Sequence, residues 1–299
     1  MKNGKILLDY YSVSPLEVFR CYCRFSRYYG KSIGKRLIFK NKMIQQAKAR
    51  DLGAYGEKKW KNILESRYWE KAATLDEFCL TNPPLDKFSN EQVNICVIDG
   101  KWKKATHAAF QQQIAKKYLN ILKKLVSSND KIAEVGCGFG GKLFSLKSEG
   151  LPNDMEGYDI SETGVKAGSE ISNFFNCNIK FDVLDVTAEF PENIFKDKTV
   201  FSSHSFEQLK YYTEKAIYNL IKTQPKQVLH FEPVPELFGW STRDIGSKLY
   251  NYAQNLQNNL LKSLRKIEEK GLLEITNVSR TSMALTPFNE SSYIRWIPK

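Results

Sequence analysis

The stretch from 131 to 141, which reads KIAEVGCGFGG, constrains the fold of this chain more than any other part of its sequence. Ile132 and Val135 predict a short apolar strand, and four glycines crowd into the six residues 136–141 that follow it. Helical spacing then resumes, and Gly150 is placed to end that helix. A strand, a glycine turn and a helix start form a cradle for a ligand. Glycine lets the backbone come close to a ligand, and the helix N-terminus offers unpaired N–H groups.

Two classes of ligand use such a cradle. The spacing of Gly136, Gly138 and Gly141 fits the dinucleotide fingerprint. Glu134, two residues before the first glycine, favours another family. With it, the segment resembles the first motif of class I S-adenosylmethionine-dependent methyltransferases, E/D-x-G-x-G-x-G, which is completed here by Gly140. The resemblance implies that the acidic residue organises the site around the methionine part of the cofactor.

Strands and helices alternate after the glycine loop, which predicts a parallel sheet covered on both faces. The predicted strands are Met155–Ile160, Asn178–Leu184, Lys198–Ser203, Gln227–Phe231, Leu272–Val278 and Tyr293–Ile297. Ligands bind such sheets at the carboxyl ends of the strands. The resemblance implies that the last strand runs antiparallel between its neighbours. The predicted fold class is therefore α/β, a Rossmann-like class I methyltransferase sheet of seven strands.

The chain divides into two predicted regions. Residues 1–104 resemble no family that we recognise and predict a mostly helical N-terminal extension, which we expect to select the acceptor or to act as a lid. Residues 105–299 are predicted to form the methyltransferase domain, beginning with an amphipathic helix over 105–126. Within it, residues 241–270 predict a helical insertion in the form of one regular helix, with a capping-box-like start at Ser241.

Aromatic residues and prolines in the extension leave alternatives open. Phe19, Tyr22, Phe25 and Tyr29 recur at helical spacing and predict a buried face, although a single-strand stacking platform would also mix aromatics with the neighbouring arginines. The segment FCLTNPPL, residues 78–85, resembles the N/D-P-P-Y/F motif of amino-group methyltransferases, but a leucine stands where that motif has its aromatic residue. A turn explains this segment better.

The resemblance implies a set of cofactor-binding residues at the strand ends. Asp159 stands in the context G-x-D-x-S, where a carboxylate accepts hydrogen bonds from a ribose diol. Asp185 is expected to accept from the adenine amino group. We prefer it to Asp182, which would sit inside a covered strand as a costly buried carboxylate. The predicted cofactor site comprises Glu134, Gly136, Cys137, Gly138, Gly140, Asp159, Ile160, Asp185, Val186 and Ser203.

Three residues are candidates for catalysis. The chain has three histidines, and His204 and His230 fall at the ends of the fourth and fifth predicted strands. His204 is a candidate base for the acceptor, and Glu232 is a candidate to orient or deprotonate it. A structural role for each remains an alternative, because methyl transfer often needs only alignment and desolvation. No metal is expected, since the sequence holds no HExxH motif or Cys/His cluster.

Charge, apolar runs and cysteine content indicate which partners and which cellular compartment suit the chain. The net charge of +12 would suit nucleic acid, an anionic membrane surface or a phosphorylated substrate, but the basic residues are scattered. No apolar run reaches the roughly 18 residues of a membrane span, and the N-terminus does not fit a secretory signal. The six cysteines form no CxxC pair, so we expect a cytoplasmic protein.

The leading hypothesis is a methyltransferase that uses S-adenosylmethionine and acts on an O or N atom of a small or medium acceptor, such as a glycan, lipid-linked or nucleotide-linked intermediate. A nucleic-acid or protein methyltransferase is an alternative that predicts a continuous basic stripe beside the cleft. A binding module without catalysis and a nicotinamide oxidoreductase are the others. The sequence does not define an oligomeric state.

Overall fold

A seven-stranded sheet organises the chain, as a computed structural model shows for residues 10–38, 52–81, 93–256 and 259–299. The helices are α1 (Pro15–Ile38), α2 (Leu52–Ser66), α3 (Leu75–Thr81), α4 (His107–Leu122), α5 (Gly141–Ser148), α6 (Glu162–Phe174), α7 (Thr213–Lys222), α8 (Thr242–Gln254) and α9 (Leu260–Glu268). The strands are β1 (Tyr11–Ser12), β2 (Val93–Ile98), β3 (Lys101–Thr106), β4 (Ile132–Val135), β5 (Met155–Asp159), β6 (Lys180–Val183), β7 (Thr199–Ser203), β8 (Gln227–Glu232), β9 (Leu273–Arg280) and β10 (Ser292–Pro298).

The order of the large sheet is β6-β5-β4-β7-β8-β10-β9. Strands β4 to β8 pair in parallel, whereas β10 is antiparallel to both β8 and β9. This arrangement confirms the predicted sheet and its antiparallel last strand. The order reverses beside β4, so the crevice for a ligand lies at the carboxyl ends of β4 and β7.

Helices cover both faces of the sheet, as alternation predicted. Ile132 of β4 belongs to a core shared with α4, α5 and α6, whereas Ala133 belongs to a second core shared with α7 and α9. Glu134 follows on the same side of the strand as Ile132, because successive side chains of a strand point to opposite faces. The first acidic residue of the motif therefore lies on the side of α4 and α5.

The helical insertion is two helices, so the prediction of a single regular helix was wrong. Asn255 adopts a left-handed conformation with φ 60° and ends α8. Ser241 does cap α8, since its hydroxyl accepts from the backbone N–H of Asp244. The backbone N–H that the Asp244 carboxylate accepts from is that of Gly239, not that of Ser241, so the capping box is not completed.

The N-terminal region contains a hairpin that the sequence analysis missed. Strands β2 and β3 are joined by Asp99 and Gly100, both at positive φ, and with β1 they form a second, three-stranded sheet. Residue 104 lies within β3, and Phe78 of the extension packs against Phe144 of α5 at 5.7 Å between ring centroids. The division at residue 104 stays a prediction, and it does not coincide with a break in packing.

Helix α1 packs most of its predicted aromatic face against the rest of the chain and leaves these rings half-buried. Tyr22 and Phe25 contact Phe288, and Tyr29 contacts Tyr250 of α8. Phe19 was expected on this face, but it is 64% exposed. Intramolecular packing thus explains the aromatic spacing. Residues 82–85 of the proline segment lie outside the described residues, and none of the helices in the described ranges has the length and apolar composition to span a bilayer.

Candidate functional site

A cavity of about 570 Å³ opens at the carboxyl ends of β4, β5 and β7, a volume within the range of small-molecule sites. Its wall contains most of the predicted cofactor and catalytic residues. These are Glu134, Gly136, Cys137, Gly138, Asp159, Ile160, Asp185, Val186, Ser203 and His204. Gly140, His230 and Glu232 are not part of the wall.

The glycine loop is dictated by the packing of the protein as well as by any ligand. Gly136 and Gly138 have φ of 73° and 57°. A Cβ on Gly138 would lie 2.4 Å from Trp60 of α2, and one on Gly136 would lie 2.3 Å from Ser205 Cβ. Both positions therefore require glycine for conformation and for space.

Asp159 at the end of β5 holds this loop in place. Its Oδ2 accepts from Gly138 N at 2.7 Å, and its Oδ1 accepts from Ser161 N at 2.9 Å. A carboxylate oxygen has more than one acceptor site, and Asp159 lines the cavity. Asp159, the predicted ribose acceptor, thus also links the glycine loop to the start of α6 through these two hydrogen bonds.

Asp185 lies in the cavity wall with Val186, and its Oδ1 accepts from the backbone and hydroxyl of Thr187. Asp182, the rejected competitor, lies on the edge strand β6 and is exposed. Asp182 was expected to face a covered sheet, and this expectation was wrong. The preference for Asp185 is supported instead by its place in the cavity.

Glu134 is a buried carboxylate that lacks a full set of partners. It is 2% exposed, and its Oε2 has no hydrogen-bond partner among the described residues. Burial raises the pKa of Glu134 well above its usual value, while the positive charge of Lys142 acts in the opposite direction. A buried polar atom without a partner costs free energy, so this oxygen favours a ligand that donates to it.

Lys142, in the first turn of α5, is a site residue that the sequence analysis did not find. Its Nζ donates to Gln111 Oε1 of α4 at 2.6 Å and lies 6.0 Å from the centroid of the Tyr118 ring. Burial lowers the pKa of Lys142 to about 8, and Glu134 opposes that shift. The available signal was a lysine directly after the glycine turn, where it can reach the same ligand.

His204 and Glu207 form a pair in the wall beyond the end of β7. His204 Nδ1 lies 3.3 Å from Glu207 Oε2, and Glu207 is 6% exposed. Burial alone would lower the pKa of His204, but the carboxylates of Glu207 and Glu232 raise it above its ordinary value. The structure supports His204 as a candidate base and adds Glu207, which we had not selected, as the group that orients it.

Glu232 was a candidate to contact the acceptor, but the structure gives it a different position. It is fully buried, and its Oε1 accepts from Ser202 Oγ, Ser205 N and Phe206 N at 2.8 to 3.0 Å. Its Oε2 accepts from Glu207 N at 3.2 Å. Burial and the nearby Glu207 raise the pKa of Glu232 to about 7, whereas the donors from Ser202 and Phe206 lower it. Glu232 therefore shapes the loop that presents His204 and Glu207.

His230 is likewise a structural residue behind the cavity. Its Nε2 accepts from Trp296 Nε1 at 3.0 Å, so the proton resides on Nδ1, which is 2.9 Å from Ser202 Oγ. Burial lowers the pKa of His230 to about 3. With both ring nitrogens engaged inside the protein, the geometry does not support His230 as an acid or base.

Three further segments contribute to the wall of the cavity. Helix α8 contributes Tyr250 and Gln254, α4 contributes His107, and the loop before β10 contributes residues 283–286 with Asn289. The N-terminal hairpin fixes this loop, because Val97 and Ala284 exchange two backbone hydrogen bonds of 2.8 and 2.9 Å. The extension thus positions the loop before β10, although it contributes few residues of the cavity wall itself.

Helix α2 of the extension covers the glycine loop. Glu57 Oε1 accepts from Ser161 Oγ at 2.9 Å, and Trp60 lies over Gly138 and 5.4 Å from the Phe139 ring.

We expect Trp60→Ala to lower the free energy of unfolding by about 2 kcal/mol. Removing a fully buried indole costs about 3–5 kcal/mol, and Trp60 is half-buried. Urea denaturation measures this difference.

A matched control is Trp240→Ala, since Trp240 is 86% exposed. That variant is expected to change the free energy of unfolding by less than about 0.5 kcal/mol. Equal effects of the two substitutions would contradict the cover of the glycine loop by α2.

No protein-family model matches the sequence, and neither does any curated protein. Among solved structures, the [4+2]-cyclase SpnF is similar with a TM-score of 0.51 and 14% identity, over 76% of this chain and 97% of SpnF. Magnesium protoporphyrin IX methyltransferase (ChlM) from Synechocystis PCC 6803, solved with bound SAM, gives a TM-score of 0.47 and 15% identity, over 64% of this chain and 81% of ChlM.

The chain has the class I methyltransferase fold. This finding confirms the family resemblance at the level of the fold. The class I methyltransferase fold places the glycine loop, Asp159 and Asp185 at one crevice, in the positions that the sequence motifs implied. SpnF is a cyclase, so the reaction has to be argued from the site of this chain.

Proposed function

We propose that this protein binds S-adenosylmethionine and transfers its methyl group to an O or N atom of a small or medium acceptor. The observation that carries the proposal is the buried Glu134 Oε2 without a partner among the described residues, beside a glycine loop that Asp159 anchors in the cavity wall. A positively charged amino group fits the first feature and a ribose diol fits the second. The sheet supports the choice over a dinucleotide, whose domains lack the inserted antiparallel strand.

The residues present fit the proposed cofactor. Asp159 would accept from the ribose hydroxyls, Asp185 and Val186 would lie beside the adenine, and Glu134 would face the methionine part. When bound, the cofactor supplies a methyl group on a positively charged sulfur. The protein then has to exclude water and to align the acceptor.

His204 and Glu207 are the residues that would handle the proton of the acceptor. His204 is in the wall, and its Nδ1 is engaged by Glu207, so Nε2 is the nitrogen left to take a proton. Glu207 would fix the ring and stabilise the imidazolium that forms. A hydroxyl or ammonium acceptor would need such a base, which supports transfer to O or N.

The cavity volume of about 570 Å³ and the walls contributed by α4, α8 and the loop before β10 favour a small or medium acceptor over a nucleic acid or a folded protein. Lys142 is the only lysine or arginine in the cavity wall among the described residues, which gives no support to an anionic acceptor held by several cations. Isothermal titration with S-adenosylmethionine, S-adenosylhomocysteine and a nicotinamide dinucleotide separates the hypotheses. Binding of the nicotinamide alone would refute the proposal.

A second assay tests transfer itself. Incubation with cofactor labelled in its methyl group and with metabolite fractions sorted by size is expected to label a compound of low molecular mass. Tight cofactor binding with no labelled product in any fraction would instead support the binding module without catalysis.

Asp159→Ala is expected to weaken binding of S-adenosylhomocysteine at least about tenfold. The substitution removes the ribose acceptor and also frees Gly138 N and Ser161 N from their partner. Asp182→Ala is the matched control, because Asp182 is exposed on the edge strand. Calorimetry measures both affinities, and equal values for the Asp159 variant and the natural protein would refute the ribose assignment.

A further inference from the structure

Two groups of opposite charge, the buried Glu134 and the half-buried Lys142, line the cavity without forming an ion pair. Lys142 and Glu134 affect each other's pKa, yet no ion pair within 4.0 Å joins them in the described structure. Lys142 projects from the first turn of α5, and Glu134 lies in β4 at the other end of the glycine turn. The two side chains therefore flank the turn over which a ligand would pass.

The Lys142 ammonium has donors to spare. It carries three N–H groups, and its one hydrogen bond in the described structure goes to Gln111 Oε1. Gln111 Nε2 is in turn 3.1 Å from His107 Nε2, so the amide is fixed from the α4 side. The lysine is held in place while two of its donors remain for a ligand.

We propose that Lys142 binds the carboxylate of the amino-acid tail of the cofactor, while Glu134 accepts from its ammonium group. The inference rests on the proposed function and extends it to a residue outside the family motif. An amino acid at neutral pH carries one charge of each sign on neighbouring atoms. It matches a half-buried cation and a buried carboxylate that lie on opposite sides of a turn.

Binding of the amino-acid tail would stabilise the site because, among the described residues, Glu134 and Lys142 lack a full set of partners without it. Glu134 Oε2 is buried without a partner, and burial disfavours the charged forms of both side chains. A zwitterion supplies a partner to each and adds no net charge to the site. An acceptor with several negative charges would reach Lys142 only by approaching Glu134 as well, which would repel it.

Three ligands test the contribution of each charged group of the tail to binding. S-Adenosylhomocysteine carries both charged groups, S-adenosyl-3-thiopropylamine lacks only the carboxylate, and 5′-methylthioadenosine lacks the whole amino acid. Calorimetric titration at pH 7 keeps Lys142 charged, since its pKa is about 8. The full chain is used, with Lys142→Gln as the variant and Lys166→Gln, an exposed lysine of α6, as the matched control.

Lys142→Gln is expected to weaken binding of S-adenosylhomocysteine at least about tenfold, as for loss of a charge-assisted hydrogen bond, and to leave both shorter ligands within about twofold. Lys142→Arg, which keeps the charge, is expected to recover most of the affinity. Lys166→Gln is expected to match the natural protein for all three ligands. The thermal midpoint of each variant without ligand shows that it is folded.

Equal loss for all three ligands in Lys142→Gln would overturn the inference, because it would indicate a general disturbance of the site. Equal affinity of the natural protein for all three would also overturn it and leave the proposed function standing, since the tail would then contribute nothing. Binding of none of the three by the natural protein would instead refute the proposed function.

Discussion

Replacing His204 by alanine is expected to lower the turnover number by about a hundredfold or more, the usual contribution of a positioned general base. His204 lies in the cavity wall and is 3.3 Å from Glu207. The residues assigned to the cofactor, apart from the adjacent Ser203, lie on β4, the glycine loop, the end of β5 and the loop after β6. The affinity for S-adenosylhomocysteine should therefore change by less than about threefold. The labelled acceptor from the transfer assay provides the substrate for these kinetics.

The pH profile gives an independent measurement of the same residue. A base must be neutral to accept a proton, and the carboxylates beside His204 raise its pKa above the ordinary 6.5. The value of kcat/KM should therefore rise with pH to a half-maximal point above 6.5. Glu207→Gln removes the strongest of these carboxylates, so this point should move to lower pH.

Stability depends on His204 in the corresponding way. Its folded-state pKa is raised, so protonated His204 stabilises the fold below about pH 6.5, and this contribution is lost as the pH rises through the raised value. Glu214→Gln is a suitable control, since Glu214 pairs with Lys266 on the surface. Unchanged turnover in both His204→Ala and Glu207→Gln would show that alignment alone supports the reaction.

Glu232→Ala is expected to lower the free energy of unfolding by about 3 kcal/mol or more, because each buried donor left without an acceptor costs about 1–3 kcal/mol. The substitution would leave four donors without this acceptor. They are the hydroxyl of Ser202 and the backbone N–H groups of Ser205, Phe206 and Glu207. The loop that presents His204 and Glu207 would lose its anchor, so activity should fall together with stability. Urea denaturation monitored by circular dichroism measures the change.

Glu232→Gln is the control that isolates the anchor from the charge. The amide keeps one oxygen that can serve the three donors on Oε1, so this variant should retain most of the stability that the alanine variant loses. A stable, inactive alanine variant with normal cofactor affinity would contradict the structural role and restore Glu232 as a catalytic candidate.

Much of the fold was predictable because it depends on local patterns. Apolar strands alternating with amphipathic helices define the parallel sheet, and the motif around Glu134 and Asp159 places the crevice. The break in the insertion was not predictable from its apolar spacing, which runs across Asn255 without interruption. The hairpin had a visible signal in Asp99-Gly100 after an apolar run, and that signal was overlooked.

The roles of the site residues depend on which groups the fold brings together, and this limits prediction from sequence. His230 and Glu232 end the same strand, but Trp296 and the loop after β7 enclose them. Glu207 and Lys142 face the cavity because of a 3₁₀ turn and the first turn of α5. Charged residues at such positions are usually solvated, so their burial follows only from the tertiary structure.

The most direct test of the account is a crystal structure with S-adenosylhomocysteine bound. We expect the adenosine over the turn at Cys137 and Gly138, with both ribose hydroxyls at Asp159 and the amino-acid tail between Glu134 and Lys142. A crevice that holds no ligand at saturating concentration, or one that binds a nicotinamide in its place, would contradict it.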